Sequence, residues 1–244
     1  MAFAYCREIT LNADAYISSA VSNYPVFLKF NSTDHPHLFE GDDGDSVCFT
    51  SDAEGASQLA HECVSFSSSE AIFYVKCDLS ASGDTAIYFW YGDASNSGEE
   101  NKSGTWYAGY SIHHFQDSLA SSISGGYSFS MAGSLSYSSN GVSGKALTGW
   151  SSSNYLTASS CGAIYNKAYS TGNDDSAIVM AKSAADKVTF YGGNTSWNGR
   201  GPKMYSRGGA DVYGLSDYYF AGIGLNEADS NWVLCMAALD GGTS

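Results

Sequence analysis

A polar and aromatic stretch from Gly192 to Tyr219 carries residue types that bind sugars. Flat aromatic rings stack on the C–H faces of a sugar, and amide, carboxylate and guanidinium groups bond its hydroxyls. Loops at the edge of a sheet could present such a set as a glycan site. The alternative is that the same rings pack on sheet faces. The candidate ligand-binding residues are Trp197, Asn198, Arg200, Tyr205, Arg207, Asp211, Tyr213 and Tyr218.

An acidic run from Gly41 to Asp45 has the oxygen density that suits calcium, because carboxylates are ligands that this cation prefers. Asp42, Asp43 and Asp45 are therefore the candidate metal ligands, and calcium is the one cofactor that the sequence suggests. The run does not follow the order of an EF-hand loop. The alternative is a solvated acidic loop that binds no metal, and no motif in the chain requires a cofactor.

Glu62 lies between apolar neighbours in a predicted strand. If such a carboxylate is buried, it must be paired or hydrogen-bonded. Arg7 is the best partner by charge. We therefore expect Arg7 and Glu62 to have a structural role, as a buried pair that fixes the sheet, rather than a catalytic one.

Local signatures of catalysis are absent from the sequence. It contains no G-x-S-x-G nucleophile elbow and no glycine-rich phosphate loop between a strand and a helix. The abundance of serine leaves a Ser-His-Asp site open, but no spacing announces one. We therefore expect that the chain is not an enzyme.

The net charge limits the classes of partner that we expect the chain to bind. A formal net charge of −14 repels phosphate backbones, so nucleic acid is not an expected partner. No apolar run approaches the length of a membrane span, no basic patch suits anionic lipid, and no secretory signal is visible at the N-terminus. Only 15% of residues are charged, and uncharged polar surfaces are typical of many secreted or particle-bound β proteins.

The cysteines follow no metal-binding spacing. None forms a C-x-x-C pair, so a zinc ribbon or a thioredoxin-type site is not expected. Cys63 and Cys77 stand where apolar strand residues belong and are expected to be free thiols. Cys6 and Cys48 could share a face of a sheet, which leaves one disulfide open. The six cysteines are Cys6, Cys48, Cys63, Cys77, Cys161 and Cys235.

Short apolar runs separated by Ser, Gly and Asp turns predict many strands, and no segment has the apolar stripe of a helix. The fold class predicted is all-β, a two-sheet β-sandwich of the jelly-roll, concanavalin A-like type. A polar linker is predicted from Asp93 to Gly104, which divides the chain into domains 1–104 and 105–244 that could pack as one unit. The predicted strands are residues 5–11, 24–30, 47–49, 71–77, 86–91, 177–182, 187–191 and 231–239, the last placed beside the first.

An ordered set of motifs resembles a known family. The family is a domain of unknown function that commonly precedes concanavalin A-like, laminin G-like lectin domains in adhesins and phage structural proteins. In the second half, Ser111–Phe115 resembles a strand that opens the lectin domain, and Gly144–Leu147 resembles its G-K-A-L signature. The first-half motifs are Arg7–Thr10, Asn23–Val26, Gly44–Gly55, Leu59–Glu62, Phe73–Lys76 and Ile87–Gly92.

The resemblance implies a non-enzymatic surface structural or adhesion protein, either of a virion (a phage decoration or fibre) or of an extracellular appendage. It implies binding to host or environmental glycans, and contacts with other copies of the chain or with particle proteins. The first alternative is a lattice or decoration protein without a ligand. The second is a polysaccharide-cleaving enzyme on the same fold, although the E-x-D-x-x-E strand that such enzymes share is absent.

Overall fold

The computed structural model describes residues 3–106, 111–124, 126, 128–141, 144–149 and 153–158, and five further strands by their backbones. The chain divides into two compact units, Met1–Thr157 and Ala158–Ser244. The division into domains 1–104 and 105–244 stays a prediction.

Strands dominate the first unit. Among its described residues, the helical segments are a 3-10 turn at Pro36–Phe39 and the four-residue helix α1 at Lys102–Thr105. The described part of the chain is therefore all-β, as predicted. The strands are β1 (Tyr5–Leu11), β2 (Val21–Asn31), β3 (Cys48–Thr50), β4 (Gln58–Leu59), β5 (His61–Phe66), β6 (Glu70–Leu79), β7 (Thr85–Tyr91), β8 (Phe129–Ala132), β9 (Ser136–Gly141), β10 (Gly144–Thr148) and β11 (Tyr155–Ala158).

Two antiparallel sheets form the larger part of this unit. One has the strand order β1-β7-β3-β4 and the other the order β2-β6-β5. β8 pairs with β11 and β9 with β10 in two-stranded ladders. The β-branched and aromatic residues of β6 and β7 suit a pleated surface with one buried face, which explains why these segments lie inside their sheets.

Aromatic rings connect the two larger sheets. Phe89 of β7 stacks on Phe30 of β2, with ring centroids 4.7 Å apart, and on Phe49 of β3, at 4.6 Å. Phe73 of β6 lies edge-on to Phe49 at 5.4 Å. All four rings are buried and belong to one hydrophobic cluster. Burial of this apolar surface is the main stabilising term for the unit.

Local turn chemistry agrees with the sequence. Gly55 has a φ of 74° and donates its amide to the Asp52 carbonyl, which closes a turn. Pro25 lies on β2, an edge strand, where its missing amide donor breaks no ladder. One predicted strand is wrong, because Ser111–Phe115 has irregular backbone.

The disulfide that the sequence left open between Cys6 and Cys48 does not form. Both residues lie opposite Trp90 of β7 and share a face, but β7 runs between them. Two strand spacings separate them by about 10 Å, beyond the reach of a disulfide. Both are free, as are Cys63 and Cys77. Burial raises the pKa of the Cys48 and Cys63 thiols to about 12, which makes them poor nucleophiles.

The second unit is described by five strand backbones. They are β12 (Asp175–Lys182), β13 (Thr189–Tyr191), β14 (Pro202–Arg207), β15 (Ala210–Leu215) and β16 (Trp232–Leu239). Three of them form one antiparallel sheet, in the order β13-β14-β15. β16 pairs with β12 along its whole length. The placement of the last strand beside the first stays a prediction.

Candidate functional site

The buried carboxylate of Glu62 organises the best-formed polar site of the first unit. Glu62 lies on β5 and is only 3% exposed. Its Oε2 accepts a hydrogen bond from Trp106 Nε1 at 2.5 Å and lies 3.1 Å from His114 Nε2. Both partners belong to the chain that follows β7. A carboxylate of the sheet therefore positions two rings that lie outside it.

The strand register explains why Glu62 points away from the core. Glu62 lies opposite Tyr74, which in turn lies opposite Phe27. The adjacent residues Phe73 and Val75 are fully buried in the core. Because successive strand residues alternate between faces, Phe27, Tyr74 and Glu62 share the outer face. These three residues, together with Trp106 and His114, are called the aromatic cluster.

The rings of the aromatic cluster form a continuous surface. The Tyr74 ring stacks on His114 at 5.4 Å and meets Trp106 at 4.8 Å in a tilted arrangement. Phe27 lies edge-on to Tyr74 at 5.5 Å and is 40% exposed. Such offset and edge contacts between rings are favourable beyond the area they bury. The row therefore runs from the half-buried Trp106 to an exposed ring at the edge strand.

The electrostatics keep Glu62 ionised. Burial by itself would raise the pKa of Glu62, but hydrogen bonds from His114, Ser122 and Trp106 and the charge of His114 outweigh it, so the pKa is lowered. An ionised carboxylate only accepts hydrogen bonds, so the His114 nitrogen donates. Burial, and then the Glu62 charge, raise the pKa of Tyr74 and keep its hydroxyl protonated.

The segment before Trp106 is anchored to the sheet. Asn101 donates its amide to the His61 carbonyl at 2.9 Å and accepts the Gly104 amide on its side chain at 2.8 Å, which caps α1. Lys76 Nζ donates to the Gly104 carbonyl at 3.0 Å. The predicted polar linker from Asp93 to Gly104 is therefore hydrogen-bonded to β5 and β6 near its end, and its role as a domain boundary stays a prediction. Its polar composition serves hydrogen bonds that deliver Trp106 to Glu62.

The predicted partner of Glu62 is also wrong. Arg7 is exposed on β1, opposite Phe89, in the other sheet. Glu62 is buried and hydrogen-bonded, as expected, but by Trp106 and His114. Charge alone favoured Arg7, whereas the donors that satisfy this carboxylate lie on a later, irregular segment.

The carboxylates of the acidic run accept hydrogen bonds from backbone amides, both within the run and from distant parts of the chain. Asp42 Oδ2 accepts the Gly92 amide at 2.7 Å, Asp43 Oδ1 accepts the Asp45 amide at 3.0 Å, and Asp45 Oδ1 accepts the Glu100 amide at 3.3 Å. Over the described residues, no group of three His, Cys, Asp or Glu side chains is arranged to hold a metal ion. Calcium at this loop stays a prediction, and the hydrogen bonds give these carboxylates a structural role.

The predicted glycan-binding residues belong to the second unit. Trp197, Asn198, Arg200 and Tyr218 lie outside the described residues. Tyr205 and Arg207 are on β14, and Asp211 and Tyr213 are on β15, where the register pairs Tyr205 with Val212 and Tyr213 with Met204. The two strands are adjacent, so the backbone brings these four positions to one ladder. The binding role assigned to them stays a prediction.

His61 is an unusual member of the core. It is fully buried on β5, in edge contact with Phe49 at 5.2 Å, and neither ring nitrogen has a hydrogen-bond partner among the described residues. Burial lowers the pKa of His61, and this outweighs the nearby backbone of Gly44 and Leu59 and the charges of Glu99 and Asp45. The folded protein therefore holds the imidazole neutral.

Because His61 is buried and neutral, we expect the unfolding free energy to fall in acid. Because its folded pKa is lowered, the unfolded chain takes up the proton first, and stability falls as the pH drops below about 6.5. The slope from this group is at most about 1.4 kcal/mol per pH unit. His61→Leu should flatten the pH dependence of the unfolding free energy between pH 7.5 and 5, measured by urea denaturation. His37→Gln, at an exposed histidine, should leave the wild-type slope; an equal slope in His61→Leu would refute the role.

No family model, curated protein or solved structure matches this chain. The family resemblance drawn from the motifs therefore stays a prediction. In the described part of the chain, no helix has the length and apolar character needed to cross a membrane.

Sequence reasoning missed Trp106 and His114. The available signal was the carboxylate itself, because a buried Glu62 requires donors. Both residues are aromatic donors in the stretch that follows the predicted strand at residues 86–91. Nothing in their spacing, however, indicates which of the chain's many donors reaches β5.

Proposed function

We propose that this chain is a surface protein of a virion or an extracellular appendage that binds glycans, built on a two-sheet β-sandwich of the jelly-roll type. The observation that supports binding is the aromatic cluster. A partly exposed row of rings suits the C–H faces of a sugar. The residues of the second unit, Trp197 to Tyr218, are proposed as a further glycan contact.

The geometry favours binding over cleavage. A glycosidase needs two accessible carboxyl groups about 5 to 9.5 Å apart, one of them able to donate a proton. Glu62 is 3% exposed and holds Trp106 and His114 with its Oε2 oxygen. Its lowered pKa also makes it a poor acid. Glu62 is therefore assigned to positioning the rings.

A lattice protein without a ligand is the competing proposal, with other copies of this chain or particle proteins as partners. In that case the exposed rings would be covered by protein contacts. The two proposals differ in what happens to the rings of the isolated chain. Only the glycan proposal predicts that a sugar binds to the exposed rings of the isolated chain and covers them.

Glycan-array binding of the labelled chain tests the proposal, followed by titration of the best glycan. Phe27→Ala should weaken binding about tenfold or more, which is about 1.4 kcal/mol, because an exposed stacking ring is lost. Trp197→Ala tests the second unit in the same assay. A folded wild-type chain that binds no glycan above background would refute the proposal.

Tyr16 supplies the matched control. It is 89% exposed, lies in the turn between β1 and β2, and is not a member of the aromatic cluster. Tyr16→Ala should bind as the wild type does. An equal loss in both variants would instead indicate a non-specific aromatic effect.

A further inference from the structure

A serine and a histidine outside the aromatic cluster form a short hydrogen-bonded pair. Ser111 Oγ lies 2.7 Å from His113 Nε2. The other ring nitrogen, Nδ1, lies 3.1 Å from the Leu119 carbonyl oxygen. The arrangement is that of an activated nucleophile, in which a base contacts a hydroxyl and a third group orients the base.

The carbonyl fixes the tautomer of His113. A carbonyl oxygen only accepts, so the proton of the neutral ring is on Nδ1 and the Nε2 lone pair faces Ser111. The serine hydroxyl therefore donates to Nε2, which is the direction that general-base catalysis requires. Burial lowers the pKa of His113, and the charge of His114 lowers it further, against the backbone of Leu119 and Ala120. The ring is therefore neutral at neutral pH.

A tight reversal of the chain builds this geometry. Phe115 and Asp117 both have a φ of 56°, a left-handed conformation that is costly for residues other than glycine. The reversal brings the following loop back alongside Ser111, where the Ser122 amide donates to the Ile112 carbonyl at 2.9 Å. Strain of this kind persists only where surrounding contacts impose it.

The surroundings supply a wall and a donor. Phe129 lies 4.4 Å from the His113 ring and Phe115 lies 6.0 Å from it, so one side of the base is apolar. Ser121 Oγ accepts the amides of Ile112 and Ile123 at 3.3 and 3.1 Å. Its proton can then be donated to an oxygen beside Ser111, as a hydroxyl does in an oxyanion hole.

We propose that Ser111 and His113 form a nucleophile–base pair that hydrolyses small carboxylic esters with an apolar acyl group. Ser111 Oγ bonds to the ester carbonyl carbon while His113 Nε2 takes the hydroxyl proton. The carbon–oxygen bond to the alcohol then breaks, and the alcohol leaves with that proton. Water next attacks the acyl-serine, giving its proton to His113, and the acid leaves as Ser111 regains it. This reaction goes beyond the proposed glycan binding and does not depend on it.

Labelling with a fluorophosphonate probe tests the pair, because such probes modify activated serines. The full chain should be labelled at Ser111, located by peptide mass spectrometry, and Ser111→Ala should abolish that label. His113→Asn should slow the labelling about 100-fold or more. Asparagine is chosen because its amide nitrogen can still donate to the Leu119 carbonyl, so the loop keeps its anchor while the base is lost.

Ser118→Ala is the control, since Ser118 lies in the same loop and accepts the Ala120 amide at 3.0 Å. It should label at the wild-type rate, and circular dichroism should match among all variants. Absence of label at Ser111 in the folded wild type would overturn the proposal, as would equal rates in wild type and His113→Asn. The result is independent of glycan binding, which Phe27→Ala tests separately.

Discussion

Glu62→Ala is expected to lower the unfolding free energy by about 2–5 kcal/mol, because two buried donors would each lose their acceptor at a cost of about 1–3 kcal/mol. The carboxylate is 3% exposed and accepts from Trp106 at 2.5 Å. Alanine would leave the indole N–H and the His114 nitrogen without an acceptor and would remove buried side-chain volume beside Tyr74. Urea denaturation at neutral pH measures the loss.

Two variants calibrate this result. Glu62→Gln keeps a carbonyl acceptor of the same shape and should cost less than alanine. Glu70→Ala breaks the pair between Lys29 and Glu70, whose side chains are 48% and 36% exposed respectively. This variant should lower the unfolding free energy by no more than about 1 kcal/mol. If Glu62→Ala is no more destabilising than Glu70→Ala, then the carboxylate does not hold the aromatic cluster.

Phe89→Ala is expected to lower the unfolding free energy by about 3–5 kcal/mol, which is the range for deletion of a buried phenylalanine ring. Phe89 is fully buried on β7 and contacts Phe30 and Phe49 at ring distances of 4.7 and 4.6 Å. These partners come from both larger sheets, so the cavity would lie between the sheets. Movement of side chains from one sheet alone could not fill it.

Thermal and urea unfolding of the variant should show this loss with an unchanged far-ultraviolet strand spectrum at low temperature. Phe89→Leu, which keeps most of the volume, should cost clearly less. Tyr16→Ala, at an exposed ring, should stay within about 0.5 kcal/mol of the wild type. A Phe89→Ala protein as stable as Tyr16→Ala would show that the ring is not part of the core.

The strands of the first unit could be predicted because their signal is local. Residues 5–11 alternate and form β1 with the predicted bounds, and the β-type runs at residues 71–77 and 86–91 lie inside β6 and β7. Alternation, branched residues and turn glycines act over a few residues. These signals are readable from one chain.

The candidate site could be predicted only in part because its contacts are not local. The burial of Glu62 followed from its apolar neighbours, but its partners Trp106 and His114 lie 44 and 52 residues away. His114 is in the segment 111–115, where a strand was predicted and the backbone is irregular. The Ser111–His113 pair depends on the chain reversal at Phe115 and Asp117, which no sequence motif predicts.

The pairing of β1 with β7 affects how the chain folds during its synthesis on the ribosome. Tyr5 pairs with Tyr91, and β2 pairs with β6, so β1 and β2 have no ladder partners until the last strands of these sheets emerge. At about 5–20 residues per second, roughly 4–17 s of synthesis separate Tyr5 from Tyr91. During that interval β1 is a bare strand that can pair with other nascent chains. Slowing synthesis should therefore lower the soluble yield, and chaperones that bind extended segments should restore it.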